Sequence, residues 1–435
     1  MQFQENTLTL NDWSKLLDHE DTTLYFRWDT AVRGTVKQLN PSGFIQDSWQ
    51  LSERLCIDAG VRWDPQWLMA SDGTVAQRIT DQVQPRIGIV YEPGALGAQK
   101  ISASFGRFYQ SVQLSLSTMY HVKGAYYNIY SYPNDPRVDA SGGTFLGNLS
   151  SFVTNVPNVK GQYFDEFVLG YERLLPLNIR LKVAGTYRRL GQGIEDGVVD
   201  SQYQALYQSP QVYGNPGSGP LYNYPDMRRE YTALEVTFDR AQVHGLSFMV
   251  SYVLSRNYGN YDGLAETNDL AGTSLTSPNN TNQFGLPVRM INADGLLPND
   301  RTHVLKVFGS YEFDFGLSTG MIFQWMSGTP LNEFGVDPYG YGASTFLVPR
   351  GTAGRTPSIW DLSVRFMYDV SRIFPVGLAT KFIADVEHIA SQRTAIDYDQ
   401  THYFDYAQTA VNPHYMVPVQ FQPPMSMRLG LEIDL

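Results

Sequence analysis

Residues 55–63 read Leu-Cys-Ile-Asp-Ala-Gly-Val-Arg-Trp. Leu55, Ile57, Ala59, Val61 and Trp63 share one face at period two, while Cys56, Asp58, Gly60 and Arg62 share the other. The pattern returns in Ile179, Leu181, Val183, Gly185 and Tyr187, set against Arg180, Lys182, Ala184, Thr186 and Arg188. It returns again in Trp360, Leu362, Val364, Phe366 and Tyr368, and in Met427, Leu429, Leu431, Ile433 and Leu435 at the C-terminus. Helical spacing appears nowhere at comparable length. A strand in a soluble sandwich runs about 5–6 residues, whereas these runs extend to roughly 11–13. At about 3.3 Å per residue and a tilt near 45°, roughly 11 residues rise about 25 Å, the height of the apolar band of a membrane barrel. The polar face also carries charge in mid-strand, at Arg180, Lys182, Lys381, Asp385 and Glu387. A dry core would not accept those charges, but a water-filled lumen does.

Composition supports the same architecture. Of 435 residues only 17% are charged, against about 25% in soluble domains, while 28 Tyr, 23 Phe and 7 Trp make the chain 13% aromatic. Mean hydropathy is nevertheless −0.27, and no apolar run approaches the roughly 18 residues of a membrane helix. One cysteine, Cys56, excludes a disulfide framework. A net charge of −11 argues against nucleic acid as a partner.

Thirteen stretches carry the alternation: 43–49, 54–64, 85–92, 98–109, 163–174, 178–189, 229–240, 244–256, 301–313, 316–327, 358–370, 377–389 and 425–435. A fourteenth, weaker one is expected within 22–37. The expected fold is therefore an all-β, transmembrane, antiparallel β-barrel of about 14 strands spanning 41–435, behind an incomplete N-terminal segment at 1–40 with one possible strand. Short and long connections alternate without exception, as tight periplasmic turns and long extracellular loops do. The long loops lie near 65–84, 110–162, 190–228, 257–300, 328–357 and 390–424. The last strand then runs inward, and the chain belongs in the outer membrane of a Gram-negative bacterium, in contact with its lipid. Trp63, Tyr187, Tyr252, Trp325 and Trp360 fall near the outer ends of the apolar face, and Tyr91, Tyr171, Tyr311, Phe313 and Tyr368 near the inner ends, where amphipathic rings favour the headgroup level.

The loops offer the candidate ligand-binding residues: Tyr126, Tyr127, Tyr130, Tyr132, Tyr222, Tyr224, Tyr339 and Tyr341, which can stack on a solute and hydrogen-bond it. Their bland alternative is packing of the loops into self-supporting lids. The lumen-facing charges Arg62, Arg180, Lys182, Arg365 and Asp385, with Arg188, Glu166 and Glu172, could guide a solute or pair between neighbouring strands. Asp397, Asp399 and Asp405, with His402, are a weak candidate for a divalent cation because hard cations prefer several oxygens, but the spacing is not that of a calcium loop. No strand–turn–helix nucleophile elbow, zincin pair or P-loop is read from the chain. No cofactor and no enzymatic activity are expected.

Several strings in order resemble the TonB-dependent outer-membrane receptors. They are Phe44-Ile45-Gln46-Asp47-Ser48-Trp49-Gln50 followed by Ala59-Gly60-Val61-Arg62-Trp63, then Pro85 to Tyr91 with Phe105-Gly106-Arg107-Phe108-Tyr109-Gln110. Asn299-Asp300-Arg301-Thr302-His303, Phe313 to Leu317 and Gly328-Thr329-Pro330 are similar to the late hairpin of the Oar-like branch, which carries a carboxypeptidase-regulatory-like domain. Residues 425–435 resemble the C-terminal signal read by the outer-membrane insertion machinery, with Leu435 in place of the usual aromatic.

The resemblance implies a 22-stranded barrel with an N-terminal plug. Such a barrel takes up a bulky solute using force from the energy-coupling protein of the inner membrane. At roughly 31 residues per strand, 22 strands need about 680 residues before any plug, and no plug, coupling box or signal peptide is read here. The chain is therefore expected to be the C-terminal portion of a receptor. The alternatives are a self-contained passive channel of about 14 strands, or a surface adhesion barrel.

Overall fold

A computed structural model describes the chain except residues 1, 11–12, 20–21, 28–31, 113, 115–120, 122–125, 133–138, 140, 151–157, 200–210, 263–281, 339–342, 371–378 and 435. One large antiparallel sheet dominates. Its thirteen long strands are β1 (Gly43–Ser52), β2 (Leu55–Trp63), β3 (Val83–Tyr91), β4 (Gln99–Gln110), β5 (Gln162–Leu175), β6 (Ile179–Gln192) and β7 (Arg229–Val243). They continue as β8 (Leu246–Gly259), β9 (His303–Glu312), β10 (Leu317–Met326), β11 (Ile359–Asp369), β12 (Ala379–Glu387) and β13 (Ser426–Asp434). Each pairs with its neighbour in sequence, so the sheet is an unbroken meander. These are the thirteen stretches in which period two is strongest. No helix among the described residues is long and apolar enough to cross a membrane; the crossing is made by strands.

Register carries the alternation across the whole sheet. Ile57, Ile89, Ala103, Leu169, Gly185, Leu234 and Leu254 lie in line on the outward face. A one-residue slip would turn that entire set inward, so the buried-in-lipid face pins the pairing. At the outer rim Trp325 stands opposite Trp360, and His303 stacks between Tyr252 and Trp325 at 6.2 and 6.3 Å.

Inner turns are tight. The β7–β8 hairpin turns on His244 and Gly245, both with positive φ (51° and 81°), the two-residue geometry that matches strand twist.

The fourteenth member of the sheet is not the stretch within 22–37. It is Gly295–Leu296, a two-residue strand on the outer end of β8. Residues 2–40 hold four strands instead of one. Gln2–Leu10 pairs with Val32–Asn40, which pairs in turn with Gln66–Met69, while Trp13–His19 and Thr22–Arg27 join Tyr126–Tyr132 and Thr144–Ser150 in a second sheet. A loop hairpin alternates at period two as a wall strand does. Only its pairing partners distinguish it, and these lie far away in sequence.

The apolar core sits outside the wall. Leu68, Ile79, Val112, Val159, Ile194, Tyr213, Leu221, Tyr224, Tyr261 and Phe284 form one buried cluster drawn from four consecutive outer loops. A smaller cluster of Ala293, Phe334 and Phe346 joins the next pair of loops, and Met290 packs against both. β1 and β13 each pair on one side only among the described residues, so the sheet is open.

Candidate functional site

The polar face of the wall sets several of its charges in pairs, at one strand end or between neighbouring strands. Arg62 meets Asp64 at 2.5 Å, and Gln84 donates to the same carboxylate at 2.6 Å. Lys182 reaches Asp239 at 3.1 Å, and Arg180 stands opposite Asp239 in register. Arg365, Asp385 and Arg428 share one register line across β11, β12 and β13, so a single carboxylate accepts from two guanidinium groups at 2.5 and 2.7 Å. Neighbouring strands supply opposite charge at facing positions, which stabilises the pairing.

The tyrosine candidates are dispersed. Tyr126, Tyr127, Tyr130 and Tyr132 lie on the loop strand Tyr126–Tyr132, whose side chains are outside the described set, and Tyr339 and Tyr341 are outside the described residues altogether. Tyr222 is exposed (73%), whereas Tyr224 is 3% exposed. The Tyr224 hydroxyl accepts from the Val198 amide at 2.8 Å and donates to the Gly285 carbonyl at 3.2 Å, which ties two loops together. Burial pushes that hydroxyl's pKa well above the ordinary phenol value.

The acidic residues of the last loop are separately engaged. Asp399 accepts from Thr401 N and Asn412 Nδ2, and Asp405 from Thr409 and Ala410. Asp397 accepts from Tyr398 N, and burial raises its pKa, with Asp399 adding to the effect. Among the described residues no three His, Cys, Asp or Glu side chains converge on a cation site. His402 instead lies between the rings of Tyr403 and Tyr415, at 4.0 and 4.1 Å, and bonds Glu333 at 2.6 Å.

The string Gly316-Leu317-Ser318-Thr319-Gly320 has nucleophile-elbow spacing, but Ser318 lies within β10 and the chain continues as strand. It therefore lacks the strand–turn–helix context an elbow requires.

Besides a hollow of about 720 Å³ on β1 to β5, where Arg62 and Arg86 face Asp47, Asp58 and Glu166, two hollows open further along the wall. The lower one, about 700 Å³, includes Arg240, Met249, Phe308, Ile322, Arg365 and Asp385, and its Arg365 is already matched by a carboxylate. The upper one, about 520 Å³, lies at the outer ends of β4 to β8 and is continuous with a 380 Å³ recess through Tyr231, Ser255, Asn299 and Arg301. It brings together Arg188, Arg229 and Arg301 with Phe164, Tyr231 and Tyr261. Arg229 and Arg301 were not legible as site residues: each has charged neighbours in sequence, Arg228 and Glu230 or Asp300, and only strand tilt and loop closure bring the two together.

Known proteins with this architecture place the chain. Residues 68–334 match the family model described as outer membrane beta barrel domain. The chain is 30% identical over 408 residues to the TonB-dependent transporter Oar of Myxococcus xanthus, which covers 83% of this chain and 36% of that protein. Among solved structures it is similar to the ferripyoverdine receptor of the outer membrane of Pseudomonas aeruginosa (TM-score 0.54, 8% identity, 99% of this chain and 48% of that one). It is also similar to the ferric-catecholate import receptor Fiu of Escherichia coli K12 (TM-score 0.52, 10% identity, 99% and 54%). The chain thus spans about a third to a half of the length of these relatives. It belongs to the outer membrane β-barrel family, and its barrel is of the TonB-dependent receptor kind, in the outer membrane of a Gram-negative bacterium.

Proposed function

We propose that this chain is the C-terminal wall and lid of a TonB-dependent receptor that takes up a bulky solute through the outer membrane. The observation that carries this reading is the pair of open edges at β1 and β13. Each unpaired backbone group facing lipid costs several kcal/mol, so those edges must be closed, and we read the closure as further strands between them. A plug in the lumen and the inner-membrane energy-coupling protein that moves it complete the machine. Residues 425–435 address the chain to the insertion machinery. The tyrosines at 126, 127, 130, 132, 339 and 341 capture the solute, and the wall charges line its route.

The test compares the chain alone with the chain preceded by its upstream coding sequence. Energy-dependent solute uptake is expected only from the longer product. Steady, ligand-independent conductance of the chain alone in planar bilayers would instead establish a self-contained channel and overturn the proposal.

A further inference from the structure

The upper hollow holds more positive charge than the wall around it neutralises. Arg188, Arg229 and Arg301 face it, and Lys306 faces the adjoining recess; the carboxylates in these walls are Asp300 and Glu235. Asp300 is already engaged, its Oδ2 accepting from Arg355 at 2.6 Å and its Oδ1 from the Asn257 amide at 2.7 Å. Glu235 accepts from Thr237 and Ser251 at 3.1 and 3.0 Å. Arg188 stands 3.9 Å from Glu166, the longest of the wall's ion pairs, with its guanidinium over the Phe164 ring.

Arg229 donates to the Asp262 main-chain carbonyl at 2.8 Å and Arg301 to the Ser327 carbonyl at 2.6 Å; among the described residues neither meets a carboxylate. Two guanidinium groups are therefore half-satisfied by neutral acceptors, in a hollow where dehydration strengthens their attraction for an anion. Elsewhere on the wall several arginines have a carboxylate at hand: Arg62 has Asp64, Arg107 has Asp165, and Arg365 shares Asp385 with Arg428.

The geometry points to this hollow as a binding site for an anionic group, carboxylate or phosphate, on a solute that also bears a ring. The inference rests on the uptake reading above and names its substrate class. Guanidinium groups present a planar fork of donors suited to such oxygens. Phe164, Tyr231 and Tyr261 supply flat apolar surface beside them. About 520 Å³ lies within the usual range for small-molecule sites. The lower hollow sets Asp239, Asp385 and Glu387 against Arg240 and Arg365, so its carboxylates outnumber its cations and it does not compete for an anion.

The test is calorimetric titration of the full chain in detergent with phenyl phosphate and benzoate, using phenyl glucoside as the uncharged ring. The two anions are expected to bind saturably and the glucoside not to. Arg229→Gln and Arg301→Gln are each expected to weaken phenyl phosphate about tenfold or more. Arg229→Lys should recover part of the loss, and Arg54→Gln, exposed in the turn between β1 and β2 at the other end of the wall, should change nothing. Circular dichroism and heat-modifiable mobility check that each variant keeps the wall. Equal binding of phosphate and glucoside, absence of anion binding by the parent, or unchanged binding by both glutamine variants would overturn the site. Anion binding without uptake by the longer protein would remove the transport reading and leave this site standing; uptake of neutral solutes without anion binding would do the reverse.

Discussion

Arg289 and Asp337, 48 residues apart, meet at 2.6 Å with side chains 9% and 0% exposed. Arg289 comes from the loop between β8 and β9, Asp337 from the loop between β10 and β11, and the pair fastens one to the other. Breaking a buried pair by removing one partner leaves an uncompensated charge at a cost of about 3–5 kcal/mol. Arg289→Met and Asp337→Asn are each expected to speed proteolytic nicking of these loops sharply, while the Arg289→Met/Asp337→Leu double variant recovers much of the resistance. Limited proteolysis in detergent reads the difference. Equal nicking of parent and single variants would show that the pair does not fasten the loops.

Tyr222 and Tyr224 are two positions apart and should behave differently. Tyr224→Phe leaves the buried Val198 amide without its acceptor, a loss of about 1–3 kcal/mol. Tyr222 is exposed, so Tyr222→Ala should alter loop stability by no more than about 0.5 kcal/mol. Urea titration followed by tyrosine fluorescence checks both. A ligand role for Tyr224 would instead lower affinity without changing stability.

Gly245 sits at φ 81°, and a Cβ there would press on the Glu312 carbonyl oxygen. The left-handed conformation alone costs a non-glycine residue roughly 1–2 kcal/mol. Gly245→Val is expected to lower the yield of folded barrel, measured as the heat-modifiable band on refolding into detergent. An unchanged yield would mean that this inner turn tolerates other geometries.

Asp397 gives a pH dependence. Burial is the first cause of its raised pKa, so the folded loop holds its proton more tightly than the unfolded one. That contribution favours the folded loop below the ordinary carboxylate pKa and is lost as pH rises through the elevated value. Asp397→Asn keeps an acceptor for the Tyr398 amide and is expected to protect the last loop from nicking at pH 7, with no advantage near pH 3. Protease half-lives at the two pH values decide it; protection equal at both would exclude the carboxylate's charge as the cause.

Asp385 bonds both Arg365 and Arg428 and thereby holds β13 to β12 and, through it, to β11. Asp385→Asn should raise amide hydrogen exchange in Ser426–Asp434 more than in Leu317–Met326, three strands in from that edge. Uniform exchange across both strands would sink this account of the edge.

The wall was legible in the chain because its cause is local. A strand wet on one side and oiled on the other must alternate, so Leu55 to Trp63 or Trp360 to Tyr368 declare their faces without any partner in view. Loop lengths, orientation and the aromatic rims follow from the same local signal. The stretch within 22–37 shows where that logic stops: it alternates, forms strands, and pairs with loop hairpins instead of the wall.

The lid and the mouth depend on contacts that no local pattern encodes. Tyr222 and Tyr224 belong to the same run of ring and amide residues, yet one faces water and the other holds two loops together. Arg62 and Arg229 both stand at a strand end, but one has Asp64 at 2.5 Å and the other donates to a main-chain carbonyl. Periodicity assigns a face to each residue; whether a charge on that face is matched or left for a solute is decided by what the tilt of the strands and the folding of the loops bring against it.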